Sequence, residues 1–201
     1  MLHELMAPER ALPWLAVAFA AGYLAGSIPF GLIIARLFRL GDLRSIGSGN
    51  IGATNVLRTG SRAAAAITLL LDGLKGALPV IFFLGWGDLT GQAAGIGAFA
   101  GHCLPVWLRF RGGKGVATFF GIALALHWPS GLVLAAVWLA AARLTRISAA
   151  GALGAALAAG PVFWAFARHE AVLAMAFLGA LVWITHRENI ASILSWRENR
   201  F

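Results

Sequence analysis

Residues 116–146 read VATFFGIALALHWPSGLVLAAVWLAAARLTR. About 20 apolar residues cross a bilayer. The run 116–142 holds about 27 residues and could be one long span, but His127-Trp128-Pro129-Ser130 interrupts it. Proline has no N–H to donate and pushes the residue before it out of helical geometry, so the pattern predicts a break. The choice matters because splitting the run puts every later segment on the opposite side of the membrane. Basic residues decide it, since cytoplasmic loops carry the excess of Lys and Arg.

The apolar runs then fall near 12–35, 64–86, 91–108, 116–127, 130–142, 148–167 and 171–185. With seven spans and the N-terminus outside, the inner segments hold Arg36, Arg39, Arg44, Arg58 and Arg62, then Arg109, Arg111 and Lys114. Arg143 and Arg146 follow, then Arg187, Arg197 and Arg200. That is thirteen of the 16 Lys and Arg residues; only Arg10 and Arg168 fall outside, and Lys75 lies within a span. Fusing the fourth and fifth runs would place Arg143 and Arg146 outside. The expected fold is therefore all-α, an integral membrane protein of about seven transmembrane helices, with its C-terminus cytoplasmic. It reads as a single polytopic domain over 1–201.

Composition agrees. Of 201 residues, 60% are hydrophobic and 12% charged, with a mean hydropathy of +0.80. A soluble domain carries about twice that share of charge. The formal net charge is +8, yet so apolar a chain has no soluble basic face for nucleic acid. The excess is topology signal together with binding of small anions. One cysteine, Cys103, excludes an intramolecular disulfide and a Cys-based metal cluster. No carboxylate or histidine cluster has metal-ligand spacing, so no metal and no cofactor is expected. The N-terminal segment carries Glu4, Glu9 and Arg10 before an apolar run over Ala11–Ala35. That is too long for a secretory signal core, and it reads as a retained first helix.

Three polar islands interrupt the apolar chain at 41–62, 109–115 and 186–200. All three lie on the cytoplasmic side in the seven-span reading, which points to one site assembled from three loops. The first is GDLRSIGSGNIGATNVLRTGSR. Gly47, Gly49 and Gly52 let its backbone approach a ligand, and successive N–H groups in such a loop form an anion-binding concavity. Ser48, Asn50, Thr54 and Asn55 add neutral donors, and Arg58 adds a fork suited to phosphate. The plain alternative is a flexible loop with helix caps.

The second island, RFRGGKG at 109–115, lacks the G-x-x-x-x-G-K-[ST] spacing of a nucleotide site. Gly112 and Gly113 before Lys114, and Gly115 after it, place an ammonium beside a helix start, which suits phosphate. A basic helix end supplied only by topology would look similar. The third island opens HREN. His186 could transfer protons, Arg187 could pair with phosphate, and Asn189 could donate to a carbonyl. A snorkelling arginine beside an interfacial histidine is the plainer reading. Ser148, just after Arg143 and Arg146, is either a helix cap or a ligand. Inside the second span, Asp72 and Lys75 are three residues apart and share a helix face, which favours a mutual pair slightly over direct contact with a substrate. His102 reads as packing at the site's edge.

GSIPFG at 26–31, DLRSIGSGNIGATNVLR at 42–58, LDGLKG at 71–76, GH followed by RGGKGVAT at 111–118, and HRENI at 186–190 together resemble the bacterial glycerol-3-phosphate acyltransferases of the PlsY type. The resemblance covers nearly the whole chain, in order and spacing. It implies transfer of an acyl chain from acyl phosphate to the 1-hydroxyl of glycerol 3-phosphate, giving lysophosphatidic acid and inorganic phosphate in phospholipid synthesis. It also implies a seven-helix fold in the bacterial inner membrane, with the site on the cytoplasmic side and built from 41–62, 109–118, 143–148 and 186–190. The family's site residues carry over to Ser48, Asn50, Thr54, Asn55 and Arg58, to Lys114, to Ser148, and to His186, Arg187 and Asn189. Gly49, Gly112 and Gly113 join them through their N–H groups. The expected partners are the two substrates, membrane lipid and the enzyme that forms acyl phosphate. The chain departs from the family after HRENI, where Ala191-Ser192-Ile193 leaves no cation at 192.

The chemistry suits these residues. Acyl phosphate is a mixed anhydride with a good leaving group, so the glycerol hydroxyl can attack it directly without an acyl-enzyme. Ser48 or asparagine donors would hold the developing oxyanion, a contact often worth about 3 kcal/mol. Lys114, Arg58 and Arg187 would stabilise departing phosphate. The proton goes to His186 or to the donor's own phosphate. The His-x₄-Asp pair of acyl-CoA-dependent enzymes is absent: the residues five after each histidine are Pro8, Trp107, Leu132, Ala174 and Ala191. The alternative function is transport of an organic phosphate or anion. A transporter, however, places its ligand groups near mid-membrane in two inverted halves, and no inverted repeat is visible.

Overall fold

The run at 116–146 folds as two helices, one ending at Leu126 and the next starting at Trp128. His127 sits between them in extended geometry and its Nδ1 accepts the Ser130 N–H at 3.4 Å, while Pro129 occupies the first turn, where no N–H is needed. The computed structural model describes residues 8–196. Arg197 and Arg200, counted above with the inner basic residues, lie outside the described residues, as does Glu4. Among the described residues the chain is helical without strands.

Two compact units are formed, Met1–Leu126 and His127–Phe201. The first holds α1 (Pro8–Gly26), α2 (Phe30–Leu37), α3 (Ala53–Leu57), α4 (Arg62–Leu84), α5 (Asp88–Cys103) and α6 (Val116–Leu126). The second holds α7 (Trp128–Thr145), α8 (Ser148–Ala165), α9 (His169–Thr185) and α10 (Arg187–Leu194). Counting Ala11–Leu37 as one segment, four segments are long and apolar enough to cross a membrane, and the bent pair α9–α10 makes a fifth. The runs expected to span near 91–108 and 116–127 fold as helices of 16 and 11 residues.

The first apolar run, expected as one helix, is two. Pro29 cannot continue the ladder, so α1 stops at Gly26 and α2 restarts at Phe30. The Ser27 hydroxyl donates to the Tyr23 carbonyl at 2.7 Å across the end of α1.

In the first unit α1 packs on α5 through glycines set four apart. Gly22 and Gly26 face the backbones of Ala94 and Ala98, and Gly97 and Gly101 face those of Phe19 and Tyr23. Equal steps along both helices mean that they run parallel. A Cβ at any of the four glycines would strike a carbonyl oxygen, so the contact demands glycine and is a membrane-helix close approach. Helix α4 is antiparallel to α5: Leu84 meets Gly91, Val80 meets Gly95, and Asp72 lies near His102. Ile122 and Thr118 of α6 also meet Gly95 and His102 of α5, so α6 runs antiparallel to α5 and parallel to α4. This alternation brings the loop entering α4 and the loop joining α5 to α6 to the same end of the unit.

In the second unit α8 packs against both α7 and α9. Gly151 lies on the Trp138 backbone, and Gly179 of α9 lies on the Ala156 carbonyl. The Gly/Ala-rich sequence at 148–160 lets these backbones come close. Gly160 meets Ala176 as Ala156 meets Gly179, an antiparallel register. Carried to the helix ends, it sets Ser148 level with the corner at His186 and Arg187.

Candidate active site

The first loop is anchored from below. Asp42 caps the turn Leu43–Ser45, accepting the Arg44 N–H at 2.9 Å. Leu43 is fully buried against Ile34, Ala35, Val56 and Ala64. Asn55 is buried as well: its Nδ2 donates to the Leu43 carbonyl at 2.7 Å and its Oδ1 accepts the Ser48 N–H at 3.3 Å. One amide thus closes the loop across twelve residues. Gly47 is left-handed, with φ of 53°, and lies under both Asn55 Oδ1 and the Arg58 guanidinium, leaving no room for a side chain. Ser48, Thr54 and Arg58 are exposed around this turn, and Asn50 is half-buried. The Asn50 Oδ1 is enclosed without a hydrogen-bond partner among the described residues.

The second loop folds back on the end of α5. The Gly112 N–H donates to the Cys103 carbonyl at 3.0 Å and the Gly113 N–H to the His102 carbonyl at 3.1 Å. A side chain at Gly112 would meet both carbonyls, and one at Gly113 would meet the His102 imidazole. Gly115, with φ of 80°, rests on the Phe99 ring. Lys114 sits half-buried between these glycines, two residues before α6. The two loops are joined directly, since Arg44 Nη2 donates to the Arg111 carbonyl at 2.6 Å.

The Gly49, Gly112 and Gly113 N–H groups, expected to serve an anion, are engaged within the fold. The Gly49 N–H donates to the Ile46 carbonyl at 2.9 Å, and the other two are engaged as described. These glycines shape the loops. Asn55 likewise lies beneath the loop surface as its brace.

Under the second loop, Asp72 and Lys75 form the expected pair, Nζ to Oδ1 2.7 Å, with both side chains buried. Lys75 Nζ also donates at 2.8 Å to the Ile28 carbonyl, at the break between α1 and α2, and lies 5.7 Å from the centre of the Phe30 ring. Sequence periodicity found the pair. It did not find Ile28, Thr118 or the part played by His102, although Pro29 and the glycine pairs Gly22/Gly26 and Gly97/Gly101 were signals that could have located the surrounding packing.

In the second unit, Ser148 is the first residue of α8 and half-buried; Ile147 is the cap residue. The chain bends by 60° between α9 and α10. His186 occupies the corner, buried, with Nδ1 2.8 Å from the Val182 carbonyl. A carbonyl only accepts, so Nδ1 carries a proton, and in the neutral ring Nε2 holds the lone pair. Arg187 is exposed and Asn189 half-buried on the first turn of α10. Among the described residues no group of three or more His, Cys, Asp or Glu side chains could hold a metal ion.

Helices of this length and apolarity, carrying polar glycine-arginine loops, define an all-helical integral membrane protein. The sequence profile of the glycerol-3-phosphate acyltransferase family matches residues 16–196, and the chain belongs to that family. It is 58% identical over 188 residues to the glycerol-3-phosphate acyltransferase of Dinoroseobacter shibae, covering 92% of each chain. It is 54% identical over 185 residues to that of Nitrobacter winogradskyi, covering 92% of this chain and 94% of the relative. Among solved structures it is similar to PlsY (YgiH), an integral membrane glycerol 3-phosphate acyltransferase. The glycerol 3-phosphate form of PlsY superposes with a TM-score of 0.85 at 35% identity, covering 95% of each chain. Its lysophosphatidic acid form gives 0.84 at 32%, covering 93% of this chain and 95% of the other.

Proposed function

We propose that this protein transfers an acyl chain from acyl phosphate to the 1-hydroxyl of glycerol 3-phosphate, releasing lysophosphatidic acid and inorganic phosphate. It does so as a seven-span protein of the bacterial inner membrane, with its N-terminus outside, its C-terminus in the cytoplasm and its chemistry on the cytoplasmic side. The observation that carries the reading is the tie between the two loops of the first unit. Arg44 holds 41–62 against 109–115 at 2.6 Å, at the end of the unit where Lys114, Arg58 and the Asn50 Oδ1 also lie. Membership of the family supplies the reaction class.

In this reading Lys114 and Arg58 take phosphate charge, each as a side-chain cation. The enclosed Asn50 Oδ1 accepts from a glycerol hydroxyl, which would satisfy an otherwise orphaned acceptor. Ser48 Oγ donates to the oxyanion that forms as the hydroxyl attacks the acyl carbon. Gly49, Gly112 and Gly113 hold the backbone close, and Thr54 and Asn55 support the turn. In the second unit, Ser148, Arg187 and Asn189 contact substrate oxygens. His186, with its lone pair on Nε2, receives the hydroxyl proton, unless an oxygen of the donor's phosphate takes it. The bond formed is glycerol O to acyl C, and the bond broken is acyl C to phosphate O. The proton ends on His186 or phosphate.

The test is phosphate release by the purified protein given palmitoyl phosphate, with and without glycerol 3-phosphate, and with palmitoyl-CoA as a parallel donor. Release that requires glycerol 3-phosphate and is absent with the CoA donor is the expected result. A folded protein that releases nothing from palmitoyl phosphate would overturn the proposal.

A further inference from the structure

The RGGKG loop rests on a buried polar cluster that the chemistry above does not use. The cluster comprises Asp72 and Lys75 from α4, His102 from α5 and Thr118 from α6, all buried. The Thr118 hydroxyl donates to the Asp72 backbone carbonyl at 3.0 Å. A hydroxyl has one proton, so towards His102 Nδ1, 3.2 Å away, Thr118 can only accept. His102 Nδ1 therefore carries the ring proton, and Asp72 Oδ1 lies on that same side at 3.8 Å. The carboxylate is itself held by Lys75 at 2.7 Å, and Lys75 is held by the Ile28 carbonyl at 2.8 Å.

The opposite edge of the ring faces the loop. Nε2 lies where a Cβ on Gly113 would stand, so the Gly113 backbone lies directly against the imidazole. The His102 backbone carbonyl accepts the Gly113 N–H at 3.1 Å. One residue thus supports Gly113 from two directions, and the next residue is Lys114.

We infer that His102 is a positioning residue. Its imidazole is held in one tautomer by Thr118 and oriented by the Asp72–Lys75 pair, and it sets the place of Gly113 and so the direction in which Lys114 projects. The kinetic consequence rests on the acyltransferase reading, in which Lys114 meets a substrate phosphate. The structural consequence does not. Misplacing a catalytic group by about 1 Å can cost as much as ~100-fold in rate, so a loosened support is read in turnover before it is read in stability.

The experiment uses the full-length protein in detergent with Thr118→Val, which keeps shape and removes the hydroxyl, and Thr118→Ser, which restores it. His102→Asn is the second variant if the valine protein does not fold. Three quantities are measured: amide hydrogen exchange across 109–116, kcat and KM for glycerol 3-phosphate, and the melting temperature. The expected result is faster exchange confined to that segment and kcat/KM lowered about 10-fold or more, beyond what the fall in melting temperature accounts for, with serine restoring all of it. Unchanged exchange and kinetics would overturn the inference, as would losses that merely follow the melting temperature. If the wild-type protein shows no turnover dependent on glycerol 3-phosphate, the functional reading falls, and the exchange result alone decides the role of His102.

Discussion

The Arg44 guanidinium reaches the Arg111 carbonyl at 2.6 Å across 67 residues of chain. Two loops that the sequence separates are one structure through this bond. Arg44→Met is expected to lower kcat/KM about 10-fold, because both loops lose their common reference. The bond is exposed, so the cost in stability is no more than about 1 kcal/mol. Steady-state kinetics and thermal melting of the purified variant check both parts, and wild-type kinetics would remove the bond from the functional account.

Lys114 is the cation between glycines that fix its backbone. Lys114→Ala is expected to reduce turnover by at least ~100-fold in a folded protein, the scale of losing one transition-state charge contact. Phosphate release by the purified variant measures it, and near-wild-type release would end the phosphate role.

Asn55 donates to Leu43 and accepts from Ser48 while buried. Asn55→Ala leaves a buried carbonyl and an N–H without partners, at a cost of about 1–3 kcal/mol. Asn55→Asp should be worse, because its carboxylate would face the Leu43 carbonyl. Melting temperatures of the two variants, compared side by side, give the order; aspartate equal to asparagine would show that the brace is not used.

His186 presents Nδ1–H to the Val182 carbonyl. If its Nε2 is the base, His186→Ala removes the acidic limb of the pH–rate profile and costs at least ~100-fold. If the donor's phosphate takes the proton, the loss is only a few-fold and the profile keeps its shape. The profile of kcat/KM against pH separates the two outcomes.

Asp72 and Lys75 are buried partners at 2.7 Å. Breaking such a pair from one side typically costs about 3–5 kcal/mol, because it strands a charge. Asp72→Asn and Lys75→Met should each destabilise more than the double variant implies by addition. A double-mutant cycle from thermal unfolding measures the coupling, and simple additivity would contradict it.

The sequence by itself determined the membrane class, the apolar runs that become helices and the break at His127–Pro129. Those depend on local apolar length, on charge placement and on proline's missing N–H, all properties of adjacent residues. It also brought out the polar islands and the Asp72–Lys75 spacing, since residues three apart on a helix share a face whatever surrounds them. Only the tertiary structure decided that the expected anion-binding N–H groups of Gly49, Gly112 and Gly113 are engaged within the fold. It alone placed Asn55 and His102 beneath the loops. The reason is physical: a side chain's type states what it can donate or accept, but its partner is fixed by which helix lies across from it. Here glycine-on-carbonyl contacts between α1 and α5, and between α4 and α6, set those neighbours.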